Sequence, residues 1–513
     1  MTGTSRLRGL DALFLRLDGA RTPMHMGSVA VFEGAPLTDA AGRVRIEKLR
    51  AEVEDRLDLV PNLRRRPLRA HLAGAAPVWV DDERFDLATH VRVVAVPAPG
   101  TSAELGALSE EILAVPLDFG HPLWELWFVE GLAGGRVGLI QKIHHALADG
   151  LGGVEMAMVL LDTERHPRPP HGPRPVWYPE PAPGTVSMVA REGSARLADG
   201  LRAVRVGAGW ARHPGVALGQ AGRMAGALAT VASPRVLAPR SPLNRPIGQA
   251  RRVAFVRERM DLLTAVERAF GVTVNDILLC AVAGGLRSML SAHGADPRGE
   301  LQALVPVGVP HEAGTLGNQV SAMLGRVPVG IADPVERLSS VARSMARVKG
   351  HRQSLAAGLL VDALDFVPEP LLGLAARAVH HQPFVNLVVT NVPGTPFPLY
   401  AHGARMLEVY PIVPLGGNLS LGVAALSYDG AMHIGLYGDR EACGDLDLVA
   451  GGIRETFGEL AEAAGVPVPA QEGTPGVAAP GRPGRPGPAR PRSAPKGTTS
   501  STRRPAHPRG ARQ

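Results

Sequence analysis

The sequence predicts an α/β protein built as two halves with a connector between them. Three observations carry this. Short β-rich runs alternate with stretches of helical period over most of the chain. A proline-dense segment, 166–184, interrupts that alternation and reads as an extended linker. The length of 513 residues exceeds one ordinary domain, and 45% hydrophobic content is enough for two cores. The expected division is an N-terminal domain over 1–165, a proline-rich linker and helical connector over 166–250, a C-terminal domain over 251–465 and a tail over 466–513.

In the first half, Leu7, Leu10, Leu13, Phe14 and Leu17 recur at three- and four-residue spacing, which predicts a helix over 4–17. Thr22-Pro23-Met24-His25-Met26-Gly27 turns the chain into a strand over 28–32. His25, beside that strand, reads as a packing residue. Residues 45–59 have the charge pattern of a surface helix. Residues 77–80 and 85–91 read as a strand and its extension, and 103–115 as a further helix. Two prolines and a glycine then shape a rigid loop before a strand near Trp124. Within that loop, Pro122-Leu123-Trp124 either fills core or lines a cavity shared with the next strand. A hairpin at Gly134-Gly135 leads into the apolar strand 136–143, and 151–161 predicts a core-facing helix.

Residues 187–232 are rich in Ala, Gly, Val and Arg. They form either a basic amphipathic helix suited to an anionic membrane or a cover between domains. The second half opens with a strand over 253–256 and a helix over 262–270. Thr273-Val274-Asn275-Asp276 precedes a long apolar helix, 277–290, with Thr273 or Asn275 as the N-cap. Residues 304–307 read as a strand, as do 384–390, which Asn391-Val392-Pro393-Gly394 ends as a turn. The runs 420–427 and 432–437 flank Tyr428-Asp429-Gly430 as a hairpin.

Composition narrows the function class. The net charge of +7 raises the question of nucleic acid, but residues 471–513 alone hold eight Arg, one Lys and one Glu, leaving the remainder at −1. The basic character belongs to a Pro/Gly/Arg tail expected to be disordered, and no aromatic-basic interleaving offers a base-stacking platform. That tail is either an anchor on anionic lipid or a solubilising appendage. The two cysteines, Cys280 and Cys443, are far apart, which argues against a disulfide scaffold and suits a reducing cytosol. Asp11, Arg16 and Asp18 interrupt any secretory apolar stretch at the N-terminus. With no uncharged apolar run of about 18 residues, a spanning helix is not expected.

The chemistry concentrates at Gln141-Lys142-Ile143-His144-His145-Ala146-Leu147-Ala148-Asp149-Gly150. Two histidines sit where a strand gives way to a helix. Adjacent strand residues face opposite ways, so the pair shares a face only if the strand bends or ends. If it ends, His145 projects into a cleft and His144 packs behind it. A histidine near a strand end is more often a packing residue. A pair followed by Asp and Gly is rarer, and both readings stand on the residues alone. Adjacent histidines lack the i, i+4 spacing of a helical metal site, and no Cys-x-x-Cys accompanies them, so no metal is expected.

The segment His144-His145-Ala146-Leu147-Ala148-Asp149-Gly150 resembles the His-His-x-x-x-Asp-Gly motif of the CoA-dependent acyltransferase superfamily. Further segments narrow the resemblance to the bacterial wax ester synthase/diacylglycerol acyltransferase family. They are Leu10-Asp11-Ala12-Leu13-Phe14-Leu15-Arg16, Thr22-Pro23-Met24-His25, Pro122-Leu123-Trp124-Glu125, Pro242-Leu243-Asn244, Asn275-Asp276, Gly317-Asn318, Asn391-Val392-Pro393-Gly394 and Gly438-Asp439-Arg440. They run in family order over roughly 5–465, outside the tail. One departure is Ser420 after Asn418-Leu419, where the family pattern carries Asn.

The resemblance implies two chloramphenicol-acetyltransferase-like domains, each a mixed sheet flanked by helices, with a tunnel between them. It implies His145 as general base, His144 as its packing or orienting neighbour, and Asp149 as a structural partner of an arginine. It places Gly150, Pro122, Leu123, Trp124, Asn275 and Asp276 at the substrates. Asn275 or a backbone N–H near Gly150 would serve the oxyanion. The implied substrates are acyl-CoA, as co-substrate without a bound cofactor, and diacylglycerol or a long-chain alcohol. The implied setting is cytoplasmic, at the inner face of the membrane or a lipid inclusion. Two other readings remain: a condensation-like acyltransferase fed by a carrier-bound acyl group, and a lipid-binding pseudoenzyme.

Overall fold

The computed structural model describes residues 5–6, 9–68, 77–147, 161–166, 177–184, isolated positions between 187 and 197, and 237–308, 320–350 and 380–467. Asp149 and Gly150, the helix expected over 151–161 apart from its last residue, most of the 187–232 connector, Gly317-Asn318 and the tail lie outside the described residues.

The first half contains β1 (Ser5–Arg6), α1 (Gly9–Leu17), β2 (His25–Phe32), α2 (Ile46–Arg56), β3 (Arg65–Leu68), β4 (Val78–Asp81), α3 (Leu87–His90), β5 (Val91–Ala95), α4 (Ser102–Ala114), β6 (Trp124–Leu132) and β7 (Arg136–His144). The second contains β8 (Arg251–Arg259), α5 (Met260–Phe270), α6 (Val274–Ala292), β9 (Leu301–Gly308), β10 (Val320–Val327), α7 (Pro334–Gly350), β11 (Leu387–Pro393), β12 (Tyr400–Ala401), β13 (Ala404–Ile412), β14 (Leu421–Tyr428), β15 (Ala431–Asp439) and α8 (Leu446–Ala463).

Two six-stranded mixed sheets result, ordered β12-β13-β2-β7-β6-β5 and β10-β9-β11-β14-β15-β8. In the first, only β5 and β6 run parallel. In the second, β11 is parallel to both β9 and β14, and the other pairs are antiparallel. The α/β class and the mixed sheets agree with the sequence reading.

Side-chain alternation assigns the faces. Ala30 and Phe32 of β2, with Val137 and Ile143 of β7, join the core that takes Leu49 and Val53 of α2. The opposite face, with Val29 and Ile140, packs with Leu105 and Leu113 of α4 and with Val253 and Tyr437 of the second half. In the second sheet, Val256, Val423 and Ile434 meet Leu263 of α5, Leu279 of α6, Val341 of α7 and Ile453 of α8. The residues across the sheet turn toward the first half. α6 is long and apolar enough to cross a bilayer by length and composition, but its residues from Asp276 through Leu286 are buried in this core.

The halves are also interleaved. The chain leaves the second sheet after β11, adds β12 and β13 to the first, and returns as β14. β13 crosses β15 so closely that a Cβ at Gly435 would lie 2.1 Å from the Pro411 carbonyl oxygen. A second tie centres on Glu110 of α4, buried at 4% exposure. It accepts the Val253 N–H at 3.1 Å and Arg440 at 2.8 Å, and pairs with the Arg252 guanidinium at 3.1 Å.

Several expectations needed correction. Ser5–Arg6 pairs with β4, so the first helix starts at Gly9 and not near residue 4. Residues 85–91 do not extend a strand. The Asp86 carboxylate accepts the Ala88 N–H at 2.9 Å and caps the short helix α3 before β5 begins. Asn391-Val392-Pro393 is strand, paired in parallel with Ala425-Leu426-Ser427. The expected hairpin forms as read, with Asp429 at φ 45° and Gly430 at φ 79° in the turn.

Candidate active site

β7 ends at His144, and His145 lies in the turn that follows. The strand end is held from both sides. The His144 N–H donates to the Leu123 carbonyl at 2.9 Å, and the His145 N–H donates to the Met24 carbonyl at 2.8 Å. His144 stands opposite His25 across the β2–β7 pair, so their side chains share the face turned toward the second half. Ending the strand frees His145 from that alternation. Its imidazole stacks on Phe14 of α1, with ring centroids 4.0 Å apart and planes 22° from parallel.

The two histidines have different electrostatic roles. His145 is pushed down to about 4, chiefly by burial, with His144 contributing in the same direction and its own backbone carbonyl opposing. The ring therefore stands neutral at pH 7. His145 Nδ1 is buried without a hydrogen-bond partner among the described residues. His144 is fully buried, and its Nδ1 accepts the Ala146 N–H at 3.1 Å. His25 bonds through Nε2 to the Leu113 carbonyl at 3.0 Å and is held well below the ordinary histidine value by burial, then by Lys142. Lys142, on the same face of β7, is buried and donates to the Val115 carbonyl at 2.8 Å beside Glu125 at 3.2 Å. Burial pushes its ammonium down, while Glu125 opposes that shift.

The loop before β6 supports the histidines from behind. Leu123 is fully buried with Leu15, Leu117 and Ala146, and Phe14 and Leu147 pack against this cluster. Pro122 is buried next to it, and its carbonyl accepts the Trp124 N–H at 2.9 Å. Trp124 points into the other core, where it stacks on His90 and donates its indole N–H to the Leu63 carbonyl at 2.7 Å. Of the three loop residues, Leu123 carries the direct link to the histidine backbone.

Asn275 and Asp276 sit at the start of α6 in the second half. Thr273 is the N-cap, and Asp276 completes the capping box by accepting the Thr273 N–H at 2.9 Å and its hydroxyl at 2.7 Å. The other carboxylate oxygen of Asp276, Oδ1, is buried with no hydrogen-bond partner among the described residues. The hydrogen bonds described for Asp276 do not reach the histidine pair. Other motif positions among the described residues also find places. Asn244 binds the Val385 carbonyl at 2.8 Å, Asp439 accepts the Gly248 N–H at 2.7 Å, and Ser420 donates to the Leu243 carbonyl at 2.7 Å. They fasten 243–248 to the second sheet. Ser420 thus makes a specific bond where the family pattern has Asn.

Two neighbours of the pair were not singled out as site residues from the sequence. Phe14 reads there as one member of a helical apolar stripe, and Asp18 as a charge that breaks one. A residue that closes a helix and faces a loop ending in His25 was the available signal.

The comparisons with known proteins give the family and the fold. The pattern of the wax ester synthase/diacylglycerol acyltransferase catalytic domain matches residues 7–278, and that of the WS/DGAT C-terminal domain matches 316–461. A Mycobacterium tuberculosis protein with the provisional name diacylglycerol O-acyltransferase is 33% identical over 466 residues, covering 89% of this chain and 90% of its own. A Mycobacterium bovis protein with the same provisional name is 33% identical over 464 residues, covering 89% and 99%. Among solved structures, the wax ester synthase/diacylglycerol acyltransferase of Marinobacter aquaeolei VT8 matches with a TM-score of 0.64 at 25% identity, over 90% of this chain and 100% of that one. The first condensation domain of the CDA synthetase shares the fold, with a TM-score of 0.51 at 16% identity over 90% and 98%. With both halves matched in order and the histidine pair at the end of its strand, the chain is an acyltransferase belonging to the wax ester synthase/diacylglycerol acyltransferase family.

Proposed function

We propose that this chain transfers a long-chain acyl group from acyl-CoA to the hydroxyl of diacylglycerol, of a fatty alcohol, or of both, with His145 as general base. The observation that carries the mechanism is the neutral imidazole in the turn after β7, stacked on Phe14 and pushed down to about 4 by burial. An alcohol is a poor nucleophile at neutral pH. A neutral imidazole can take its proton as the oxygen attacks the thioester carbonyl, a contribution of about 10²–10⁴-fold. Nδ1 is buried without a hydrogen-bond partner among the described residues, and Nε2 is assigned as the nitrogen that takes the proton. The tetrahedral intermediate collapses by breaking the C–S bond. The CoA sulfur takes the proton from His145, and ester and free CoA depart.

A pKa near 4 keeps the base unprotonated but weak. That value already includes the opposing effect of the His145 carbonyl, which favours the charged form. No acyl-enzyme or bound cofactor is required if both substrates meet at His145 from opposite mouths of a tunnel between the halves. Asp149 fixes the turn, and Asn275 or an N–H near Gly150 supplies the oxyanion donor. The acceptor is insoluble in water, which puts the working enzyme at the cytoplasmic face of a membrane or a lipid inclusion.

The test is an acceptor panel with one radiolabelled long-chain acyl-CoA, resolved by lipid chromatography, on the full chain and on His145→Ala. Triacylglycerol or wax ester from the wild type, with loss in the variant, is the expected result. Absence of CoA release with either acceptor, or equal turnover by the variant, defeats the reading.

A further inference from the structure

We propose that Asp18 is the positioning residue of the histidine pair: its carboxylate draws the Nε2–H of His144 and thereby fixes the turn that presents His145. This role rests on the reading of His145 as base, and it begins at His144. The Ala146 N–H donates to His144 Nδ1 at 3.1 Å. A nitrogen that accepts such a bond offers a lone pair, so in the neutral ring the proton is assigned to Nε2. That Nε2 is buried without a hydrogen-bond partner among the described residues. It faces Asp18 Oδ1 at 3.7 Å, an electrostatic contact that is longer than a hydrogen bond. Both side chains are buried, His144 at 1% and Asp18 at 5% exposure.

The same carboxylate oxygen reaches the His145 backbone through one residue. Asp18 Oδ1 accepts the Met24 N–H at 2.7 Å, and the Met24 carbonyl accepts the His145 N–H at 2.8 Å. A third route runs through α1. The Asp18 N–H bonds to the Phe14 carbonyl at 3.0 Å, and the Phe14 ring stacks on His145. One residue thus touches the loop before β2, the helix beneath the base and the imidazole beside it. A buried carboxylate is costly unless polar groups meet it; here a backbone N–H donates to it and an imidazole N–H faces it at 3.7 Å. Asp18 does not touch the reacting atoms. It acts through His144, whose ring props the Ala146 N–H and with it the start of the turn.

The experiment uses the full chain with Asp18→Ala, Asp18→Asn and His145→Ala. It has two readouts: kcat and KM with a long-chain acyl-CoA and diacylglycerol, and the His144 tautomer by NMR of protein carrying ¹⁵N-histidine. Wild-type His144 is expected as the neutral Nε2–H form. Asp18→Ala is expected to lose about 10–100-fold in kcat, the scale of a small misplacement of a catalytic group, with KM within about two-fold. Its His144 signal should spread over both tautomers. Asp18→Asn keeps an oxygen for Met24 and His144, and should hold the wild-type tautomer and recover kcat to within about three-fold of wild type. A wild-type His144 with its proton on Nδ1 overturns the proposal. So does wild-type kcat in Asp18→Ala, or an Asp18→Asn enzyme no better than Asp18→Ala. Should Asp18→Ala fail to fold, the wild-type tautomer and the Asp18→Asn enzyme decide, Asp18→Asn against its own wild type. Full activity in His145→Ala removes the base assignment while leaving the tautomer result standing.

Discussion

The sharpest consequence of the site geometry is the acid limb of the reaction. A solvated histidine titrates near 6.5, whereas burial against Phe14 pushes His145 down to about 4. The base works only when neutral. With a value near 4, roughly nine-tenths of the free enzyme is still competent at pH 5, and about half at pH 4. With the unperturbed value, only about 3% would be competent at pH 5. The two cases differ about thirty-fold at one pH. The assay is kcat/KM for acyl-CoA across pH 4–8 at fixed ionic strength, since this ratio reports the free enzyme. Return of each sample to pH 7 separates titration from unfolding. A flat profile from pH 7 to 5, with its fall near 4, is expected for the wild type. In His145→Ala the rate should drop about 10²–10⁴-fold and the limb should vanish. A wild-type limb centred near 6.5 would refute the claim that desolvation holds the half-buried imidazole down in the resting enzyme. A His145→Ala enzyme retaining the limb would assign it to another group.

Three further outcomes test how the halves are built. Glu110→Ala strands the buried Val253 N–H and the Arg252 contact, while Arg440, with 56% of its side chain exposed, adds little. Destabilisation of about 2–4 kcal/mol is expected by denaturant titration, and a change under about 0.5 kcal/mol would deny the tie its role. Gly435→Ala sets a methyl 2.1 Å from the Pro411 carbonyl oxygen, backbone against backbone. A cost of about 1–3 kcal/mol or more is expected as a lowered Tm, and an unchanged Tm would mean that β13 moves away freely. His433 is 1% exposed and is pushed down to about 4, first by burial and then by Arg257. The unfolded chain takes up this proton near 6.5 and the native protein resists until about 4. Stability is therefore whole above pH 6.5 and falls with pH, by about 2 kcal/mol at pH 5 and at most about 3 below pH 4. His433→Phe should flatten this part of the pH dependence of the denaturant midpoint, and an equal loss in the variant would remove His433 as its source.

What was legible in the sequence is what is decided within a few residues. The alternation of elements, the hairpin at Asp429-Gly430 and a cap within Thr273 to Asn275 follow from local spacing and turn chemistry, and all three stand in the structure, which chooses Thr273 as the cap. The misreadings occur where local and tertiary preferences compete. Residues 85–91 look extended by composition, but one Asp86 carboxylate turns them into a capped helix. Asn391 to Pro393 carries turn residues, yet pairing with β14 keeps it in the sheet. No local feature says which sheet a strand joins, so the crossing of β12 and β13 into the first sheet was out of reach.

The candidate site divides the same way. His144 and His145 stand out because their motif is contiguous, and Leu123 because its loop leads directly into the neighbouring strand. Asp18 does not stand out, because its partners Met24 and His144 meet only when β2 pairs with β7 in the register that sets His25 opposite His144. A slip of one residue would turn every side chain of β2 to the other face. His25 would leave the Leu113 carbonyl, and the loop holding Asp18 to Met24 would shift against β7. The motif names the reacting group, but the β2–β7 register decides whether that group is held where α1, the Met24 loop and the Leu123 loop all reach it.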